Sequence, residues 1–220
     1  MKNKLPPAPS LTRRSCFVTP KVEIVIACEG KKTEPRYFSD CVAGYGAGLV
    51  RLRVLPVTGV PLTVVDAAIE EREKLVEKCR KSPNSFDACF RVWAVFDRDE
   101  HPGVSDALMR ADEHRIDVAF SNPCFEIWPI LHLEDYGAQS GRHAVQARLA
   151  ALMPKYDHES GAVVDFPAIK DYFPIAYDRA HRHALARQAE DDPYGNPYTT
   201  VGELVLKIIQ NGKGVFAKRR

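Results

Sequence analysis

The run Val22-Glu23-Ile24-Val25-Ile26-Ala27-Cys28 restricts the fold more than any other stretch of the chain. It is apolar, rich in β-branched residues and short, and it stops at Glu29-Gly30, so it reads as a buried strand with a carboxylate at its C-terminal tip. Lys31 and Lys32 occupy the following turn. Thr33-Glu34-Pro35 then supplies a polar N-cap, an acidic first-turn residue and a first-turn proline, which predicts a helix over 33–43. In an open α/β sheet, ligands gather beyond the carboxyl ends of the strands, where Glu29 would lie.

The rest of the first half repeats this strand–helix alternation. Leu49 to Val57 alternates apolar residues with Arg51 and Arg53 and predicts a second strand, and Leu62 to Arg80 has the spacing of an amphipathic helix. Phe90 to Phe96 is the other strongly apolar strand and runs into Asp97-Arg98-Asp99. A helix over 104–114 and a strand over 116–121 follow, closed by Asn122-Pro123. Cys124 to Leu133 reads as a buried helix or irregular segment with one carboxylate, Glu126, near its start. This order predicts an α/β fold, a mostly parallel sheet flanked by helices. Beyond residue 136 the pattern changes to helices over 141–153, 167–187 and 200–211, with Glu190 to Thr199 as loop. The expected organisation is an N-terminal arm over 1–19, an α/β core over 20–136 and a helical C-terminal extension over 137–220 packed on that core.

Composition narrows the function classes. With 31 Lys+Arg against 29 Asp+Glu the formal net charge is +2, so any basic surface for nucleic acid must be local. Six cysteines without a CxxC pair suit reduced thiols better than disulfides or zinc. No apolar run is long enough for a membrane span or a signal h-region, and a cytoplasmic location is expected. There is no G-x-x-x-x-G-K-[ST] loop and no Ser/His/Asp arrangement. His132 and Trp128, four apart, read as core. His181-Arg182-His183 with Arg179 and Arg187 reads as a solvated helix face.

The carboxylates at the strand tips carry the chemistry. Glu29 follows the first strand, Asp97 and Asp99 the third, and Glu126 the fourth, so parallel neighbours would bring them to one edge. Gathered carboxylates need a counter-charge, and hard Mg²⁺, or Mn²⁺, supplies it from carboxylate oxygens, waters and substrate phosphates. Period-2 geometry at a strand end puts Asp97 and Asp99 on one side and sends Arg98 the other way. Glu29 is then expected to hold a second metal or to serve as general acid/base in phosphoryl transfer, and Glu126 to be a supporting ligand. Lys31, Lys32, Arg98 and Asn122 are candidates for substrate or phosphate contact.

The segments CEGKKTEPRYF, VFDRDEH, SNPCFEIWPILHLED and NPYTTVGELV together resemble the RloB-like family, proteins encoded beside restriction–modification loci and associated with phage defence. They also resemble, more broadly, the Toprim domains of topoisomerases, primases and some nucleases. The resemblance implies Mg²⁺ binding by Glu29, Asp97 and Asp99, with Gly30 as the accompanying glycine. At the next alternate position, where topoisomerase-type sites carry a further acid, this chain has His101. The resemblance further implies a nuclease acting on RNA, tRNA among its options, or DNA, and an RloA-like AAA/ABC-type ATPase as partner; a homo-oligomer is a separate expectation, with the number of subunits left open. A different class, a non-catalytic module that binds nucleic acid or a phage product and docks on the ATPase, is the alternative expectation.

Overall fold

A computed structural model of the chain describes residues 22–30, 32–82, 88–98, 101, 103–158, 161 and 163–212. The arm over 1–19, Lys31, Asp99 and the basic residues of 213–220 lie outside these. Five strands form one sheet: β1 (Val22–Cys28), β2 (Val50–Pro56), β3 (Phe90–Asp97), β4 (Asp117–Asn122) and β5 (Tyr198–Thr199). Their spatial order is β2-β1-β3-β4-β5. The first four strands run parallel, and β5 adds to β4 antiparallel.

β1 shows why the sheet is covered on both sides. Ile24, Ile26 and Cys28 point into one apolar core and Val25 and Ala27 into the other, all five fully buried. Its neighbour β3 divides in the same way, Trp93 and Val95 to the first core and Val92, Ala94 and Phe96 to the second. The second core is closed by α2 (Pro61–Lys81) and α3 (Val104–Glu113), through Val64, Val65, Ala68 and Ala107. The first is closed by α1 (Thr33–Tyr45) and α8 (Val201–Asn211). Behind them stands α4 (Ile127–Leu133), in which every residue from Ile127 to His132 is buried. An all-round apolar helix of this kind belongs inside, and α5 (Arg142–Leu152) and α7 (Phe173–Ala189) pack against it. Within this layer Trp128 Nε1 donates to Tyr37 Oη at 2.6 Å.

Three local expectations change. The N-cap of α1 is Lys32 rather than Thr33, and no side chain caps it. The helix expected over 167–187 is broken into α6 (Phe166–Ile169), a 3₁₀ turn over Lys170–Tyr172, and α7. Pro174 lacks an N–H and sits in the first turn of α7, the one place where a helix tolerates it, so the chain restarts there. The segment expected as loop up to Thr199 ends in β5, where Ser121 pairs with Thr199 and Asn122 with Tyr198. Two residues after a proline are too few to show an alternating pattern.

The other candidates of the helical region are tied down locally. His132 is buried with Nδ1 3.0 Å from Trp128 O. Arg179 donates to Leu131 O, Arg182 and His183 both meet Asp135, and Arg187 donates to Asn196 O. These side chains staple α7 to the segments beside it.

Candidate active site

The strand order places a switch point between β1 and β3. From β1 the chain leaves through α1 toward β2 on one side, and from β3 through α3 toward β4 on the other, so the two connections diverge and leave a crevice at the strand tips. Glu29 and Asp97 both line this crevice, an open cleft of about 410 Å³. The backbone sets their positions: Glu29 N donates to Val95 O at 3.3 Å, and Arg98 N to Ser121 O at 2.8 Å.

Three carboxylates of the cleft have identified neighbours. Asp97 Oδ2 accepts the Phe125 backbone N–H at 3.0 Å, which ties the β3 tip to the turn before α4. Glu29 Oε1 lies 3.4 Å from His101 Nε2, so the histidine at the alternate position faces this carboxylate. Glu126 is buried, 4 % exposed, at the N-cap position of α4, and accepts a hydrogen bond from Tyr156 Oη at 2.6 Å. His158 Nδ1 stands 3.4 Å from the same Glu126 oxygen, and Gln146 lies 3.3 Å from the far side of the His158 ring. Gly30 abuts the Glu34 carboxylate so closely that any Cβ there would displace it.

The charges are lopsided. Glu29, Glu34, Asp97 and Glu126 face only Lys32 and Arg142 among the described lining residues. Burial, reinforced by the Glu126 and Asp97 charges, pushes the Cys124 thiol far up and keeps it protonated, which removes it as a nucleophile. Burial and the Glu126 charge likewise raise the Tyr156 phenol, leaving it a donor.

Among the described residues no three His, Cys, Asp or Glu side chains are grouped tightly enough to hold a metal ion between them. A two-carboxylate site is nevertheless sufficient for Mg²⁺, which fills its remaining positions with waters and phosphate oxygens. Glu29 and Asp97 give an all-oxygen donor set in a solvent-open cleft with an excess of negative charge, and that chemistry fits a hard divalent cation.

Not all sequence candidates share this cleft. Lys32 does; Arg98 and Asn122 line a neighbouring one. The Asn122 side chain donates to Tyr194 O at 2.7 Å. Tyr156, His158, Gln146 and Arg142 enter the site from the helical region; Arg142 and Gln146 lie in the helix expected over 141–153, but no strand-tip pattern marks any of the four.

Fold and cleft define an α/β protein with an acidic site at the carboxyl edge of a mostly parallel sheet. A family model described as RloB-like protein matches residues 24–208, and the chain belongs to that family. No curated protein and no solved structure gave a match. Among the described residues no helix is long and apolar enough to cross a membrane.

Proposed function

We propose that this RloB-like protein is a Mg²⁺- or Mn²⁺-dependent, Toprim-like nuclease that hydrolyses phosphodiester bonds of RNA, tRNA included, or DNA. In this reading it is the effector of an anti-phage defence system and works beside an RloA-like ATPase, as the family resemblance implies. The observation that carries the proposal is that Glu29 and Asp97 line one cleft at the switch point, whose carboxylates outnumber its cationic groups. A bound divalent cation supplies Lewis-acid stabilisation of charge on the scissile phosphate.

The chain's own groups divide the remaining tasks. Asp97, tied by the Phe125 N–H, lines the cleft, and Asp97 and Asp99 are assigned as metal ligands. Glu29, in reach of His101, holds or passes a proton at its carboxylate. Lys32 offers an ammonium to a phosphate oxygen. Glu126, buried on Tyr156, is the supporting carboxylate.

The test compares the parent protein with Asp97→Asn on bulk tRNA, single-stranded RNA and duplex DNA, with Mg²⁺, Mn²⁺ or EDTA. Asparagine keeps an acceptor for Phe125 N–H, so the variant isolates charge from fold. Cleavage by the parent in either metal and its loss in the variant and in EDTA are expected; equal cleavage by parent and variant sinks the proposal. Calorimetric titration with Mn²⁺ separates the non-catalytic module, for which Asp97→Asn leaves the titration unchanged.

A further inference from the structure

A second open cleft of about 410 Å³ lies beside the first, and the same pieces of chain wall both. At the tip of β3, Asp97 lines the first cleft and Arg98 the second, as expected of consecutive residues at a strand end. In the β4–α4 turn, Asn122 and Pro123 line the second, and Cys124, Phe125 and Glu126 the first. Arg142, the first residue of α5, lines both and stands where they meet.

Their charges are opposite. Whereas the first cleft gathers carboxylates, the second has two guanidiniums, Arg98 and Arg142, against the one carboxylate of Asp192. Its other polar groups are the carboxamides of Asn122, Gln139 and Asn196. Guanidiniums match phosphate geometry. Asn122 donates to Tyr194 O and Asn196 is bonded to Ser140 through both ends of its amide, so the exposed Gln139 is the carboxamide that offers donor and acceptor together, as the edge of an unpaired base does. Each cleft is of the size that takes a compact ligand, and the two are joined at a guanidinium.

We infer that the two clefts form one path for an unpaired polynucleotide strand. The scissile phosphate lies in the acidic cleft, the adjoining nucleotide occupies the Arg98 cleft, and Arg142 contacts the backbone between them. The position of the scissile phosphate rests on the nuclease reading; the strand path is tested apart from it, by binding without metal.

The experiment is fluorescence anisotropy in EDTA with a labelled single strand of about 12 nucleotides, made as RNA and as DNA, and with the matching duplex. Arg98→Glu is compared with Lys74→Glu, which makes the same charge change on the exposed face of α2. The expected result is single-strand binding by the parent that Arg98→Glu weakens about tenfold and Lys74→Glu leaves alone, with the salt dependence of log Kd shallower by about 1 in Arg98→Glu. Arg98→Ala gives the same direction should the charge reversal disturb folding. The RNA and DNA arms tell which strand is preferred. No binding by the parent, equal loss in Arg98→Glu and Lys74→Glu, or tighter binding of the duplex would each overturn the inference. If the parent cuts nothing while Arg98→Glu still loses the strand, the nuclease reading falls and the path stands.

Discussion

The acidic cleft and the basic cleft share the β3 tip, the β4–α4 turn and the start of α5, yet they differ in the sign of their charge and in how their side chains are held. In the acidic cleft Asp97 takes a backbone N–H, Glu126 takes the Tyr156 hydroxyl and Glu29 lies against His101. In the basic cleft Arg98 is exposed, and the structural ties come from carboxamides, Asn122 to Tyr194 O and Asn196 to Ser140. A one-residue step along β3 or around the β4–α4 turn is enough to change cleft. Alternation at strand tips therefore lets neighbouring residues serve opposite electrostatic tasks, one suited to a cation and the other to an anion.

The sharpest way to break this comparison is Asp97→Asn. A cation at a phosphate stabilises the transition state by several kcal/mol, so cleavage should fall at least about 100-fold in a kinetic assay. Strand binding in EDTA should be as tight as in the parent or tighter, because the change removes negative charge; weaker binding would mean that the clefts do not divide the work by charge.

A second prediction concerns the buried helix α4, which follows Glu126. Burial, with Arg179 adding to it, lowers the His132 pKa from 6.5 to about 4 against the opposing Trp128 hydrogen bond. The folded state thus favours the neutral ring. Its contribution is fully present above pH 6.5 and is lost as pH falls toward about 4, where the unfolded chain takes the proton first. The loss is on the order of 3 kcal/mol, seen as a falling urea midpoint, and His132→Gln should flatten that acid limb.

Smaller effects compare the ties of the two clefts directly. Tyr156→Phe leaves the buried Glu126 carboxylate without its hydroxyl donor and should cost about 1.5–3 kcal/mol in urea unfolding. Asn122→Ala loses only the neutral bond to Tyr194 O and should cost about 1 kcal/mol. Asn122 and Glu126 are equally buried, so equal costs would erase the distinction between a charged tie and a neutral one.

Much of the α/β fold could be read from local pattern. The apolar runs of β1 and β3 are buried on both faces, and this is why they lack polar alternation and stand out in the sequence. Glu29 and Asp97 could be paired in advance because parallel strands share a carboxyl edge. Arg98 and Asn122 were visible as polar residues near that edge, but not as the lining of a separate cleft, since its remaining walls come from 139–142 and 192–196. Tyr156 and His158 were invisible for a related reason: their role depends on the path of the chain after α5, which no periodicity records. β5 and the restart at Pro174 were missed because two residues and one proline are too small a signal.

The pairing of β5 with β4 also bears on how the molecule is made. Phe120 N is bonded to the Thr200 hydroxyl across 80 residues of chain. At about 5–20 residues per second, ribosomal synthesis needs about 4–16 s to produce the partner after β4 has emerged. Through that interval the outer edge of β4 has unpaired backbone groups and no α8 to cover its face, the condition in which a strand most readily joins another chain.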